Sequence, residues 1–351
     1  MSVMFRATAA FLVGLVGGYI FLLLHAPLPW TLGSLAASAI VALTGRSWFL
    51  PPLASDFARP CVGVLAGSAF TLPVLISLPG WWDVLVVLMI YSIIVTILGS
   101  LYFQRVAKFD PITAFFASAP GGLGELSLLG STLGGNLRTL VLVHSMRIIT
   151  VVFVVPFAVR WYMVTESTID FTPPHPSEAA ELTDWAIMIA CGVTGFFIGR
   201  PLRTLGGVMM VPMIMSAAVH IVGLTAMTPP NWLIALVQIV VGCLAGSRFA
   251  GLSWPEFRTT VVAAVVWSLV LLVLAMIGAV VCRRFSDASL LELVLAFAPG
   301  GLVEITIVAY AMSVHVAFVT TCQLCRVTLV LLLTPTIFRL LWKKLHLPMI
   351  D

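Results

Sequence analysis

Long apolar stretches follow one another along almost the whole chain, separated by short polar breaks. A helix needs about 20 apolar residues to cross the hydrocarbon core of a bilayer. A barrel strand would instead show about ten residues of alternating polarity. The pattern therefore predicts an all-α integral membrane protein with many spans. The apolar segments lie near residues 8–24, 29–45, 60–77, 82–104, 111–134, 138–162, 185–199, 205–226, 232–248, 258–282, 289–312 and 315–342.

The composition agrees with this pattern. Of the 351 residues, 61% are hydrophobic and 9% are charged, whereas a soluble domain carries about 25% charged residues. The charged residues are too few to cover a surface that faces water, and we therefore expect membrane lipid around the protein. Basic residues stand at the ends of apolar segments, as at Arg105 and Lys108, which is typical of membrane anchors. They form no basic face, and we predict no nucleic-acid partner.

The second half of the chain repeats the first at an offset of 179 residues (242 minus 63). The block Gly63–Phe70 (GVLAGSAF) returns as Gly242–Phe249 (GCLAGSRF), and Ala119–Glu125 (APGGLGE) returns as Ala298–Glu304 (APGGLVE). Such blocks at one ungapped offset indicate a duplication. We predict two homologous helical repeats of five or six membrane segments each, joined by an acidic linker that contains prolines. The predicted bounds are 1–162, 163–184 and 185–345.

The orientation of the two repeats depends on whether the APGG segments cross the bilayer fully. Five crossings per repeat make the halves inverted, and six make them parallel. With five crossings only Arg160, Arg283 and Arg284 fall outside, and the acidic linker is external. Positive charge favours the cytoplasmic side, so the inverted arrangement is favoured, and the parallel one stays open. With six crossings the external residues would be Arg138, Arg200, Arg203, Arg248 and Arg258.

The two APGG blocks are the candidate site. Proline lacks an N–H and clashes with the preceding turn, and a glycine pair loosens a helix, so each block predicts a broken helix at membrane depth. A single block could simply let helices pack closely. Breaks at matching positions in two repeats are typical of a transporter's central binding site. The candidate residues here are Pro120, Gly121, Gly122, Pro299, Gly300 and Gly301.

Charged residues follow both blocks at matching distances. Glu125 and Glu304 lie inside apolar segments, where a carboxylate is costly unless it is paired, hydrated or protonated. We predict that each is an ion ligand, a proton carrier or the partner of a buried cation. Arg147 and Arg326 lie 22 residues further on (147 minus 125). We expect these arginines either to pair with the glutamates or to hold an anionic substrate in a bidentate manner.

His144 and Gln323 lie three residues before the two arginines, at equivalent positions. Residues i and i+3 share a helix face, so both are expected to point into the same interior. His144 is then either a structural histidine or a proton relay. The six histidines show no ligand spacing. Cys322 and Cys325 stand three apart in an apolar segment and are interpreted, like the other cysteines, as small apolar residues of helices, so we predict no metal and no cofactor. Known catalytic motifs are absent, and we expect no enzyme.

With these motifs in place, the chain resembles the AbrB family of duplicated bacterial membrane proteins over about residues 10–345. The resemblance rests on the doubled APGG(L)xE and GxLAGS blocks and on Gln323 to Arg326, which is similar to that family's QxxR. His144 stands where the first repeat would have the glutamine. The resemblance implies a multi-pass protein of the bacterial inner membrane. Family members are named as regulators of gene expression or ammonia monooxygenases, and neither name follows from these residues.

Three functions follow as hypotheses. The duplicated broken helices favour a secondary transporter or exporter of a small solute, with an organic anion as one candidate, coupled to H⁺ or Na⁺. A membrane-embedded regulator or sensor that affects gene expression indirectly is the alternative, and it requires a cytoplasmic docking surface. A membrane enzyme is the third and is poorly supported. The expected partners are lipid and a small molecule or ion, and a homo-oligomer stays open.

Overall fold

A computed structural model describes residues 3–45, 48, 50–166, 181–250 and 257–344. Within these ranges the secondary structure is helical and no strand occurs. The helices are α1 (Val3–Leu23), α2 (Pro29–Leu43), α3 (Pro52–Ser68), α4 (Leu72–Ser77), α5 (Trp82–Arg105), α6 (Pro111–Ser118), α7 (Leu123–Thr132), α8 (Leu137–Glu166), α9 (Leu182–Gly199), α10 (Gly207–Ile221), α11 (Asn231–Gly246), α12 (Val262–Cys282), α13 (Leu290–Phe297), α14 (Leu302–Ala311) and α15 (Val316–Lys344).

Seven helical stretches are long and apolar enough to cross a membrane, judged by length and composition among the described residues. Together with the all-helical secondary structure, they confirm the predicted helical membrane protein. Shorter apolar helices lie at Pro29–Leu43, Gly207–Ile221 and Leu302–Ala311. The seven stretches are Met4–Leu23, Leu72–Arg105, Leu137–Val159, Leu182–Arg203, Asn231–Phe249, Arg258–Cys282 and Val316–Thr334.

The helix bounds recur along the chain at the same offset as the sequence motifs. Helix α6 starts at Pro111 and α13 starts at Leu290, which is 179 residues later (290 minus 111). Helices α7 and α14 are separated by the same distance, starting at Leu123 and Leu302. Helices α1 to α3 correspond in the same order to α9 to α11, α5 corresponds to α12, and α8 to α15. Equivalent motifs therefore lie at equivalent places in equivalent helices.

The helices pack into two compact units, and each unit takes helices from both halves of the sequence. Packing therefore groups the helices differently from the two repeats that the sequence predicts. Unit 1 comprises Met1–Pro79, Val152–Leu252 and Val303–Ala317, and unit 2 comprises Gly80–Val151, Ser253–Leu302 and Phe318–Asp351.

Unit 1 is built from closely crossing helices. Helix α3 packs on α10, and its equivalent α11 packs on α2. The GxLAGS blocks lie at these crossings: a Cβ on Gly67 would fall 2.6 Å from the Cβ of Ser216, and one on Gly246 would fall 2.7 Å from that of Ser38. Small residues let the helix backbones approach. The blocks therefore serve packing, and the Ser68 hydroxyl donates to its own helix at Leu65, 2.8 Å away.

Unit 2 is built around α5, which packs on α6 and α12. Tyr102 stacks on Trp267 with ring centroids 5.3 Å apart, and the Tyr91 hydroxyl donates to the Leu271 carbonyl at 3.2 Å. A Cβ on Gly99 would fall 2.6 Å from the Cβ of Ser118. The first two contacts join α5 to α12, and the close approach at Gly99 places α6 against α5.

Some bounds differ from the predicted segments. Helix α3 begins at Pro52 rather than near residue 60. Proline is well tolerated in the first helical turn, and Asp56 and Arg59 in the next turns interrupt the apolar pattern that predicted the segment. At the linker, α8 continues to Glu166 and α9 begins at Leu182, while residues 167–180 lie outside the described part of the chain.

Candidate functional site

The first APGG block interrupts a helix inside unit 2. Helix α6 ends at Ser118, and Ala119 is extended with ψ 128°. Gly122 is extended as well, with ψ 137°, and caps α7. The Gly121 N–H donates to the Ala119 carbonyl at 2.9 Å, which closes a three-residue turn around Pro120. The block therefore separates two short helices, as proline and paired glycines favour.

The second block has the same geometry, also inside unit 2. Helix α13 ends at Phe297, and Ala298 is extended with ψ 127°. The Gly300 N–H donates to the Ala298 carbonyl at 2.9 Å, so the turn encloses Pro299. After Gly301, helix α14 begins at Leu302.

Each short helix ahead of a break also begins at a side-chain cap. The Asp110 carboxylate accepts a hydrogen bond from the Thr113 N–H at 2.8 Å at the start of α6. Ser289 and Glu292 form a capping box at the start of α13. Caps of this kind satisfy the free N–H groups of a first turn, so the sequence defines both ends of α6 and α13.

Arg147 of α8 fills the space beside the first break. Its Nη1 donates to the Ala119 carbonyl at 2.8 Å, and its Nη2 donates to the Gly121 carbonyl at 2.7 Å. The last carbonyls of a helix have no partner within it and carry the negative end of its dipole. The guanidinium, only 3% exposed, therefore supplies both donors and a compensating positive charge.

Arg326 of α15 does the same at the second break, with help from Gln323. Arg326 Nη1 donates to the carbonyls of Phe297 and Ala298 at 3.2 and 2.8 Å. Gln323 Nε2 donates to the carbonyls of Leu295 and Ala298 at 2.7 and 3.1 Å. The Arg326 Nη2 donates to the Gln323 Oε1 at 2.5 Å. The two side chains are linked to each other, and together they donate hydrogen bonds to the carbonyls at the end of α13.

His144 takes the place of Gln323 in the first repeat but makes no matching bond. The imidazole is fully buried and faces the Phe116 carbonyl, the equivalent of the Leu295 carbonyl. Neither ring nitrogen reaches a hydrogen-bond partner among the described residues. The two breaks are therefore alike in backbone and different in side-chain support.

The two arginines come close to each other inside unit 2. Their charges interact directly, and both also act on the Tyr91 hydroxyl. The Tyr91 ring contacts the Phe297 ring edge-on, at 5.2 Å between centroids. The two helix breaks therefore meet in one region of unit 2, and this region carries two buried positive charges.

A small cavity of about 30 Å³ borders this region, between α5, α6 and α15. Its lining includes Ser92, Thr96, Phe115, Val330 and Thr334. This volume accommodates about one or two water molecules and is too small for an organic solute. Within the described ranges, no group of three or more histidine, cysteine or acidic side chains lies together as a metal site would need.

The glutamates are placed less symmetrically. Glu125 lies in the first turn of α7 in unit 2, and its side chain is outside the described residues. Glu304 lies in the first turn of α14 in unit 1 and is half-buried. The partners of Arg147 and Arg326 among the described residues are backbone carbonyls and Gln323. The break itself creates those acceptors, because it leaves helix-end carbonyls bare. The expected pairing with Glu125 falls on a side chain outside the described residues.

Sequence reasoning missed one residue, Arg248. It follows α11 in unit 1, and its charge interacts with those of Glu304 and Arg59. A signal was available, because Arg248 is the one charged residue in the second GxLAGS block and stands where the first block has Ala69.

Comparison with known proteins gives a family match over most of the chain. A family model described as "Transition state regulatory protein AbrB" matches residues 30–342. The "Uncharacterized protein YhjN" of Bacillus subtilis (strain 168) is 26% identical over 358 residues, covering 94% of this chain and 91% of that protein. The "Putative regulator AbrB" of Escherichia coli (strain K12) is 22% identical over 332 residues, covering 91% of each chain. None of these descriptions states a substrate or a reaction.

Proposed function

The chain belongs to the AbrB family of membrane proteins, and we propose that it is a secondary transporter or exporter of a small solute in the bacterial inner membrane, with an organic anion as the favoured cargo. The observation that carries the proposal is the meeting of two equivalent helix breaks in unit 2, each held by a buried arginine. Broken helices at matching positions of two repeats are the typical building plan of a transporter's central site.

The charge of this region supports an anionic cargo. Two buried guanidinium groups close to each other raise the local positive potential. Charged side chains within membrane segments usually have a functional role. Glu125 and Glu304, one turn beyond each break, would bind the coupling H⁺ or Na⁺.

The proposal is tested by flux through purified protein in proteoliposomes. A panel of labelled organic anions is offered with an imposed H⁺ or Na⁺ gradient. Wild type should accumulate at least one of them, and the double variant Glu125→Gln, Glu304→Gln should lose the gradient-driven part. Asp287→Asn, an exposed loop carboxylate, is the matched control and should keep it. Unchanged flux in the double variant would contradict the proposal.

The printed name of the Escherichia coli relative favours a second candidate, a membrane regulator. Such a protein needs a docking surface, and the linker between α8 and α9 is the longest polar stretch available. Deletion of residues 167–180 should then abolish the change in gene expression and leave membrane insertion intact. Retained gene regulation in the deletion would leave the transporter as the better explanation.

A further inference from the structure

Arg59, Arg248 and Glu304 form a cluster of charged side chains within unit 1. Arg59 lies on α3, Arg248 follows α11, and Glu304 opens α14. All three are half-buried, and helices α3 and α11 pack on each other. The Arg248 charge interacts with the other two. None of the three makes a direct ion pair or hydrogen bond with another described residue.

The cluster carries one more positive than negative charge. Asp56, three residues before Arg59 on α3, does not offset it, because Asp56 is already paired with Arg203. Asp184 of the same unit is also engaged, accepting from the Thr225 hydroxyl at 2.7 Å. An uncompensated charge that is partly withdrawn from water is unfavourable, so the cluster favours capture of an anion.

Arg248 differs from Arg147 and Arg326 in which donor lacks a partner. Those two arginines each have a buried Nε without a partner in the described part of the chain. The Nη atoms of those two arginines are occupied by backbone carbonyls and by Gln323. The Nη1 of Arg248 is buried and has no hydrogen-bond partner within the described ranges. A buried donor without a partner is unfavourable, so an acceptor that reaches the Arg248 Nη1 would be bound favourably.

We propose that Arg59 and Arg248 bind a small carboxylate or other anion, and that Glu304 is the built-in counter-ion which this ligand displaces. The inference goes beyond the proposed transport function, because it adds an anion site in unit 1 to the region of the helix breaks in unit 2. In the empty protein Glu304 partly balances the two guanidinium groups. An incoming carboxylate neutralises the guanidinium charges with better geometry than Glu304 does, since a guanidinium holds a carboxylate through two parallel hydrogen bonds.

The duplication supplies well-matched test variants. The residues equivalent to Arg248 and Arg59 are Ala69 and Gln238, each 179 positions away (248 minus 69, 238 minus 59). Arg248→Ala and Arg59→Gln therefore introduce side chains that the other repeat already accommodates. Arg200→Ala removes the same charge from an exposed position of unit 1 and is the control.

The experiment is a thermal-shift titration of the purified full-length protein with acetate, benzoate, phosphate and chloride at constant sodium concentration. At least one anion should raise the Tm of wild type in a saturable way, since a ligand that binds only the folded state stabilises it. Arg248→Ala and Arg59→Gln should lose the saturable shift, and Arg248→Lys should keep part of it. Glu304→Gln should bind the anion several-fold more tightly, because the competitor is gone.

Three results would overturn the inference: no anion stabilises wild type, Arg248→Ala titrates like Arg200→Ala, or Glu304→Gln binds more weakly. Failure of the inference and failure of the transport proposal can be told apart. Anion binding through Arg248 without flux would leave the site in place and remove transport. Gradient-driven flux with unchanged binding in Arg248→Ala would leave transport in place and remove this site.

Discussion

At the scale of single residues, Arg147 and Arg326 explain how the carbonyls at each helix break find hydrogen-bond donors. A break leaves carbonyls that hydrocarbon cannot solvate. A guanidinium presents several donors in a fixed fork, so one arginine reaches the Ala119 and Gly121 carbonyls at once. The carbonyls in turn stabilise a charge that would otherwise be costly at this depth.

We expect Arg147→Met to destabilise the protein by about 1–3 kcal/mol, because the Gly121 carbonyl loses its charged donor. Arg147→Lys should fall between wild type and Arg147→Met, since an ammonium keeps the charge but lacks the fork. The measurement is the Tm of the purified protein in detergent. Arg138→Met, an exposed position on the same helix α8, is the control. Equal Tm values for the two methionine variants would refute this role for Arg147.

The sequence identifies the buried polar residues well and their partners poorly. Arg147, Arg326, His144 and Gln323 are all buried, as their positions in apolar spans predict. Their acceptors could not be foreseen, because a carbonyl at the end of α13 becomes available only once the helix has ended there. Arg248 was missed for a related reason, because its charged neighbours belong to two other helices and the sequence does not show that they lie nearby.

At the scale of helices, the two breaks differ in how firmly they are held. The end of α13 accepts hydrogen bonds from both Gln323 and Arg326 at the carbonyls of Leu295, Phe297 and Ala298. The break after α6 accepts bonds from Arg147, and the Phe115 carbonyl accepts one from the Ser118 hydroxyl at 2.7 Å. His144 supplies no counterpart of the Gln323 bonds within the described ranges. The first break is therefore the weaker of the two and the one expected to open first.

Exchanging the two equivalent residues tests this difference. Gln323→His should speed backbone hydrogen exchange at the end of α13, and His144→Gln should slow it at the end of α6. Each net hydrogen bond contributes about 0.5–1.5 kcal/mol, so changes of roughly threefold to tenfold in exchange rate are expected. Exchange measured by mass spectrometry on both variants reports each helix separately. Unchanged rates at both ends would show that the side-chain bonds do not control the breaks.

The sequence predicts most helices because apolar runs mark them, and it fails where polarity and helix formation disagree. The segment near 60–77 contains the end of α3 and all of α4, because the chain between Ser68 and Leu72 is as apolar as its neighbours. Proline and glycine were more informative than hydropathy at the APGG blocks, since they act on the backbone itself.

At the scale of the molecule, duplication and packing follow different divisions of the chain. Equivalent helices are 179 residues apart (290 minus 111), yet each compact unit contains helices from both halves. A sequence can show the first fact, because repeated motifs are local. It cannot show the second, because the choice of neighbour is made by surfaces that exist only after the helices have formed.

The remaining question is whether the repeats are inverted, and two equivalent loops decide it. Lys108 lies between α5 and α6, and Asp287 lies between α12 and α13, 179 residues later (287 minus 108); both are exposed. In a background without the native cysteines, Lys108→Cys and Asp287→Cys should react with a membrane-impermeant maleimide from opposite sides, because inverted repeats place equivalent loops on opposite faces. Labelling after permeabilisation controls for access.

Labelling of both from the same side would mean parallel repeats with an even number of crossings each. In that case the acidic linker would face the cytoplasm, where it could serve the regulatory function. Labelling from opposite sides would instead mean that the two breaks enter the membrane from opposite faces, as alternating access to one site requires.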